Sequence, residues 1–402
     1  MNISLTSGSL NVPLEVTDGT SVLAAESATC NFADSLNHPI GLPPIPECVV
    51  PGDRVTIAVD PDTPELVELI AEIWQQLQGA EFELNITMLL PTDFSGGNWN
   101  GLQEQLPAHV REQASIHIHD PDDEQQRRYL ASSAGGERLY LSHHLTDADL
   151  IISVGTFAPD SVLGHRGTNS ALFPAFSDTQ AIVSLRQSET AELGTDQQGK
   201  ARELADEVGW LLGTQFTVQA VGAADGSIGR LFCGAVDRVT SVARNYLAEQ
   251  YRFKVDTQHD IAVVSVPVSE SGFGWKNLGR ALTAIHHVVE DGGRVAVVAD
   301  LPTPDGPANE MLRRCTEPSE LLKPLVLEPP EDGVETARLI QAMDQWNVFL
   351  LSNLPDGIVE EFGLLPLSNA DEVQKLLSTA EYPVIIPAAN LAAFELTTLA
   401  AR

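Results

Sequence analysis

Apolar residues along this chain fall into two rhythms that alternate from one end to the other. Short, nearly continuous runs read as strands: Arg54-Val-Thr-Ile-Ala-Val-Asp60, Phe82-Glu-Leu-Asn-Ile-Thr-Met-Leu-Leu90, Ile116-His-Ile-His-Asp120, the pair Tyr140-Leu141, and Asp149-Leu-Ile-Ile-Ser-Val-Gly155. Continuous runs of this kind fit parallel strands covered on both faces. Between them, apolar positions recur at helical spacing, as over 64–74, where Pro64 suits a first turn, and over 199–210. The run 214–221, the Asp225-Gly226 turn and the run 229–234 predict a hairpin, followed by a helix over 239–251. Residues 1–50 are rich in turn formers and read as an arm packed against the first domain.

A second strand and helix series starts at Asp260-Ile-Ala-Val-Val-Ser-Val266. It continues with a helix over 278–289, a strand over 293–299, a helix over 334–343, a strand over 348–352, a helix over 371–380 and a strand over 383–387. Such βαβ order predicts an α/β protein of two domains, each with a mostly parallel sheet flanked by helices and with a cleft between them. The expected division is 1–255 and 256–402, with the crossing near 253–259 and a return of the last residues to the first domain left open. No internal repeat is present, and the proline-rich pieces at 301–307 and 328–330 read as short loops.

Composition narrows the function. At 402 residues, 43% hydrophobic, the chain has enough apolar material for two cores. A net charge of -33 and a pI near 4.4 argue against nucleic acid, whose phosphates need clustered Lys and Arg, and fit high solubility or a saline setting. Cys30, Cys48, Cys233 and Cys315 have no metal-site or disulfide spacing and read as reduced and structural. No basic leader precedes an apolar core, and no run of about 18 apolar residues occurs, so a cytoplasmic protein with no membrane partner is expected.

The candidate chemistry gathers after the 149–155 strand, because open α/β sheets bind ligands beyond the carboxyl ends of their strands. Gly164 and Gly167 let backbone amides approach a ligand, and a following helix N-terminus would favour an anion. Asp160 and His165 are candidate acid/base residues, and Arg166 beside His165 a candidate anion donor. The Ser95-Gly96-Gly97-Asn98 turn could share in cradling a phosphate or carboxylate. His117 and His119 on one strand face, with Asp120, are a weak metal pattern, and His143-His144 and His286-His287 weaker ones. No metal ligand is assigned.

These residues also carry a resemblance. The run 149–177 is similar to the segment of nickel-pincer-dependent lactate racemases that reads strand, Gly, Pro-His, then Gly-Phe-Ser-Gly-Gly-Arg-Lys and Pro-Gly. Further landmarks occur in the family's order: Pro39-Ile-Gly41, Asp60-Pro-Asp-Thr63-Pro64, Asp120-Pro-Asp122, Thr146-Asp-Ala-Asp149, the Phe216 strand with its Asp225-Gly226 turn, and Asn277-Leu-Gly-Arg280. The resemblance implies racemisation or epimerisation of a 2-hydroxy acid by hydride transfer, an isomerase activity, with a nickel-pincer nucleotide.

Residue by residue, the pattern departs from the family. Ser170 occupies the position of the lysine that anchors the cofactor, and Asp160 follows Pro159 where an acid/base histidine stands. Asp93 or Phe94 falls where the other histidine would be. Arg186 lies near the position of a nickel-ligating histidine, and Asp60-Pro-Asp-Thr63 lacks the arginine that holds a substrate carboxylate. Serine offers no nucleophilic amine, and an arginine has no lone pair for a metal. Nickel retention by the family's arrangement is therefore not expected.

The residues expected to act are Asp160, His165 and Asp93. Gly164, Arg166, Gly167, Ser170, Asn277, Arg280, Asp60 and Thr63 are expected to contact a small anionic substrate or ligand. Arg166 and Arg280 are expected to face one cleft. Two functions remain open at this point: a divergent family enzyme acting on a related hydroxy acid, and a protein that has lost catalysis and binds a small acidic ligand or a partner protein.

Overall fold

The computed structural model describes residues 2–17, 19–26, 29–80, 82–92, 99–187, 199–268 and 274–397. Two six-stranded sheets organise them. In the first the order is Ile228–Ala235, Phe216–Gly222, Leu150–Thr156, Arg54–Val59, Asn85–Leu90 and Ser115–Ile118, parallel except for the antiparallel edge pair with Ile228–Ala235. Every residue of Leu150–Thr156 is buried, as its unbroken apolar run requires of an inner strand.

The helix Leu66–Gln78 buries Leu66, Leu69, Ile70, Ile73, Trp74 and Leu77, one face at i, i+3, i+4 spacing, against Ile57, Val59, Ile152 and Val154 of this sheet. Each such aliphatic side chain contributes about 1.5–3 kcal/mol on burial, so this stripe fixes the helix on the sheet.

The second sheet is parallel throughout, in the order Leu365–Leu367, Asn347–Leu351, Val289–Val298, His259–Ser265, Pro383–Ile386 and Ser21–Val22. One face packs on the helices Gly274–Ala284 and Gly333–Gln345. Its other face is covered by the helix Ala370–Ser378 and by a hairpin of Asn2–Ser7 and Leu10–Glu15, whose Leu5, Val12 and Leu14 join Ile261, Val263 and Ile385.

The arm at 1–50 therefore divides. Its first part packs on the second sheet, with Ser7 Oγ donating to Val266 O at 2.6 Å, while Leu36, Ile45 and Val49 join the core of the first sheet. Burial decides this, since the alternating leucines of the hairpin match the open face of the second sheet.

Ala220 and Val264 lie in different sheets, as the two βαβ series imply. Between the sheets, Arg252–Val255 pairs in parallel with Ala393–Leu396, and Ala388 and Leu391 pack on Phe157 and Val221 of the first. The chain's end thus comes back to the crossing.

Two expected helices take other forms. The helix over 278–289 is Gly274–Ala284 followed by a 3-10 turn, and the next strand already begins at Val289, with Gly292 at φ +76° shaping the irregular stretch before Arg294. After the 164–167 turn, the expected helix is only the 3-10 segment Thr168–Ala171, because Thr168 is left-handed at φ 55° and Pro174 lacks an amide to continue it.

Candidate functional site

A cavity of about 240 Å³ opens beyond the carboxyl ends of Arg54–Val59, Asn85–Leu90 and Leu150–Thr156, between the two sheets. Asp60, Pro91, Asp160, Arg166, Gly167 and Ser170 line it from the first sheet, Ile182, Leu185 and Arg186 from the helix Thr179–Arg186. The second domain contributes Lys276 and Arg280 from one helix and Val334, Glu335 and Arg338 from another.

Its floor is built around Asp62. After the strand Arg54–Val59 the chain turns tightly: Thr63 Oγ1 donates to Asp60 O at 2.7 Å, Asp62 N to Asp60 Oδ1 at 3.0 Å, and Thr156 Oγ1 to Asp62 O at 2.8 Å. This turn aims the Asp62 carboxylate into the domain boundary, where Oδ2 lies 2.6 Å from Arg166 Nη1 and 2.6 Å from Arg280 Nη1. Asn277 Nδ2 donates to Oδ1 at 3.0 Å, and Arg280 Nη1 also donates to Asn277 Oδ1 at 2.9 Å.

Burial alone would raise the Asp62 pKa, but the two guanidiniums outweigh it and the carboxyl is lowered. Burial pulls Arg280 down, and Asp62 and Asp160 overcome it, so its pKa is raised. Asp62 was not singled out by the sequence reading, although it stands inside the Asp60-Pro-Asp-Thr63 run that was. Its signal was two carboxylates next to Pro at a strand end.

Asp160 forms the wall. Its Oδ1 accepts from the amides of Val162 at 2.9 Å and Leu163 at 3.0 Å, and Oδ2 lies 4.0 Å from Arg280 Nε. Burial raises its pKa, but Arg280, Arg338 and the two amides prevail and leave it lowered. A carboxyl held this way stays ionised at neutral pH and is a poor proton donor. Arg338 on the opposite wall donates to the Ser161 hydroxyl.

Gly167 has φ +102°, and a Cβ there would stand 2.6 Å from Gln219 Oε1 and 2.8 Å from Thr156 O. Only glycine fits. Ser170 Oγ accepts from Gly167 N at 2.9 Å and donates to Gly167 O at 3.0 Å, so its hydroxyl closes the turn it belongs to.

Beneath the turn, Arg202 is fully buried. It donates to both Asp206 oxygens at 3.0 and 2.9 Å, to Gly167 O at 3.0 Å and to Thr168 Oγ1 at 2.8 Å. Gln219 Oε1 accepts from Thr168 N at 2.9 Å. Arg202 went unnoticed in the sequence because an Arg and Asp at i, i+4 on an amphipathic helix also read as a solvated pair.

His165 does not line the cavity. Successive side chains of the short strand Gly164–Arg166 alternate, so while Arg166 faces the cleft, His165 lies against Phe157 with ring centroids 4.9 Å apart. Burial, then the charges of Arg202 and Arg244, push its pKa down to about 3, and the ring is neutral.

Asp93 and the Ser95 to Asn98 turn lie outside the described residues. Thr63 and Asn277 are buried members of the floor rather than of the cavity lining, and Gly164 begins the strand that carries Arg166. His119 is buried with Nε2 donating to Ser177 O at 2.7 Å, whereas His117 stacks on His144. No cluster of three or more His, Cys, Asp or Glu able to hold a metal occurs among the described residues. No helix among them is long and apolar enough to cross a membrane.

Fold and cleft together define a two-domain α/β protein with an arginine-rich pocket at the strand ends of its first sheet. Residues 9–192 match the family model of the lactate racemase N-terminal domain. Over the whole chain, the fold is that of the lactate racemase apoprotein from Thermoanaerobacterium thermosaccharolyticum, with TM-score 0.76 and 15% identity, covering 98% of this chain and 100% of that one. A protein from Thermotoga maritima matches with TM-score 0.63 and 14% identity over 87% of this chain and 95% of that one. No curated protein matches the sequence. The resemblance to the lactate racemase family, stated from sequence landmarks, therefore holds in the N-terminal domain and in the fold.

Proposed function

We propose that this lactate racemase-like protein uses the cleft to bind a small carboxylic acid of the 2-hydroxy acid class. The observation that carries the reading is a local inversion of charge. The chain has 23 basic residues against 56 acidic ones, yet the cavity is lined by Arg166, Arg186, Lys276, Arg280 and Arg338 against Asp60, Asp160, Glu331 and Glu335. A strongly negative protein needs such a concentration of guanidinium groups to admit an anion at all. A volume of about 240 Å³ lies just under the roughly 300–1,000 Å³ of sites for drug-sized ligands. The same charge balance argues against nucleic acid and anionic membrane surfaces as partners.

The residues present do not fit the nickel-pincer nucleotide as the family holds it. Ser170, at the anchor position, has no amine and spends its hydroxyl on the Gly167 turn, and Arg186 has no lone pair to give a metal. Binding without the family's hydride chemistry is accordingly the first reading. A retained isomerase activity is the second, favoured by the ionised Asp160 carboxylate at the cavity wall.

Calorimetry with small 2-hydroxy acids and their uncharged amides tests the first reading: acids bind and amides do not. Equal heats from both would sink it. Mass spectrometry and nickel analysis of protein made beside the cofactor separate the two readings, and stoichiometric nickel with an adduct on Lys276, the lysine that lines the cavity, would overturn the loss of cofactor.

A further inference from the structure

We infer that the ligand is a monocarboxylic acid with an apolar side chain, its anion met by Arg186 and Arg338 and its apolar body laid between Ile182, Leu185 and Val334. This rests on the reading of the cleft as a small-anion site and names which anion it takes. The helix Thr179–Arg186 presents Ile182, Leu185 and Arg186 to the cavity at i, i+3, i+4 spacing, and Gly333–Gln345 presents Val334 and Arg338 at i, i+4. Each helical wall thus offers apolar side chains and, within one turn, a guanidinium. Such a pair of walls suits a molecule with one charged and one apolar end.

The inner arginines are committed elsewhere. Arg166 and Arg280 both place Nη1 2.6 Å from Asp62 Oδ2, and drawing either one off would leave a buried carboxylate half compensated. Arg338, by contrast, donates to the neutral Ser161 hydroxyl. The Arg186 side chain makes no ion pair or hydrogen bond among the described residues and lies half-buried at the cavity. A carboxylate reaching both would meet forked donors from the two domains at once.

Specificity against a second negative charge is built into the same walls. Glu331 and Glu335 line the second-domain side and Asp60 and Asp160 the first. A dicarboxylate or a phosphorylated acid would bring its extra charge against one of these, which disfavours it by like-charge repulsion.

Titration calorimetry at constant pH and ionic strength, with lactate, phenyllactate, malate and phosphoglycerate, decides the point. Phenyllactate is expected to bind about tenfold or more tighter than lactate and than either dianion, a step of one decade or more in Kd. Arg186→Gln should weaken phenyllactate by about tenfold with an unchanged Tm, and Leu185→Asn should narrow the ratio between phenyllactate and lactate. Lactate or malate binding as tightly as phenyllactate would overturn the inference and leave the anion-binding reading standing, and so would an Arg186→Gln variant that binds like the parent. No heat from any of the four acids would overturn both.

Discussion

Arg280 places Nη1 2.6 Å from Oδ2 of Asp62, a residue 218 positions earlier in the chain and in the other domain. That bond, with Arg166 on the same oxygen, joins the two domains through one buried carboxylate. Two like charges can approach so closely because Asp62 lies between them. Asp62→Ala should therefore cost about 3–5 kcal/mol, since it strands two guanidiniums rather than merely losing a bond. The measurement is the thermal transition by calorimetry, where Asp62→Ala combined with Arg280→Met should recover part of the loss. Additive losses in the double variant would show that the two residues are not coupled.

The pH dependence of stability should carry the mark of His165. Its pKa in the fold is about 3 against 6.5 when free, lowered by burial first and then by Arg202 and Arg244. Between these values the unfolded chain binds the extra proton, so the stabilisation is complete above about pH 6.5 and is lost as pH falls toward 3, at most about 1.4 kcal/mol per unit. His144, held near 4 by burial and by His143 and His117, adds in the same direction. Urea unfolding at a series of pH values should give a shallower slope between pH 6 and 4 for His165→Gln, and an unchanged slope would remove the assignment.

Gly167→Ala should damage the cleft more than an alanine usually would. The left-handed φ of +102° and a Cβ 2.6 Å from Gln219 Oε1 together demand that the turn or Gln219 move. Strain of this kind costs about 1–3 kcal/mol, and the displaced turn carries Arg166 and Ser170. A lowered Tm and weakened acid binding are expected. A variant with parental stability would mean that the turn relaxes freely.

A net charge of -33 on 402 residues should make stability rise with salt. Self-repulsion among exposed carboxylates is screened as the Debye length falls from about 10 Å at 0.1 M to about 3 Å at 1 M, while the buried Asp62 cluster is hardly affected. The Tm should increase between these potassium chloride concentrations, and a decrease would place the dominant electrostatics in favourable pairs instead.

Along the chain, what could be read locally was read correctly. The run 149–155 had to be an inner strand because an unbroken apolar segment bounded by Asp149 and Gly155 has no polar face to turn to solvent, and the site had to follow it because strand ends leave backbone groups unpaired. Family landmarks such as Asp60-Pro-Asp-Thr63 and Asn277-Leu-Gly-Arg280 marked the right segments. Their pairing was decided only in three dimensions. Nothing local says that Asp62 will meet Arg280 rather than water, that Arg202 will be the best-buried charge, or that Arg338 will face the first domain. His165 and Arg166 look equivalent as neighbours in a glycine loop, and it is strand alternation in the short Gly164–Arg166 segment that sends one into the core and the other into the cleft. The hairpin of the first fifteen residues likewise joined the second sheet because that face, assembled from residues more than 240 positions away, was the apolar surface left to cover. Sequence determines which segments are buried, since burial follows from local pattern, whereas which buried charges compensate one another depends on contacts across the domain boundary that no local pattern encodes.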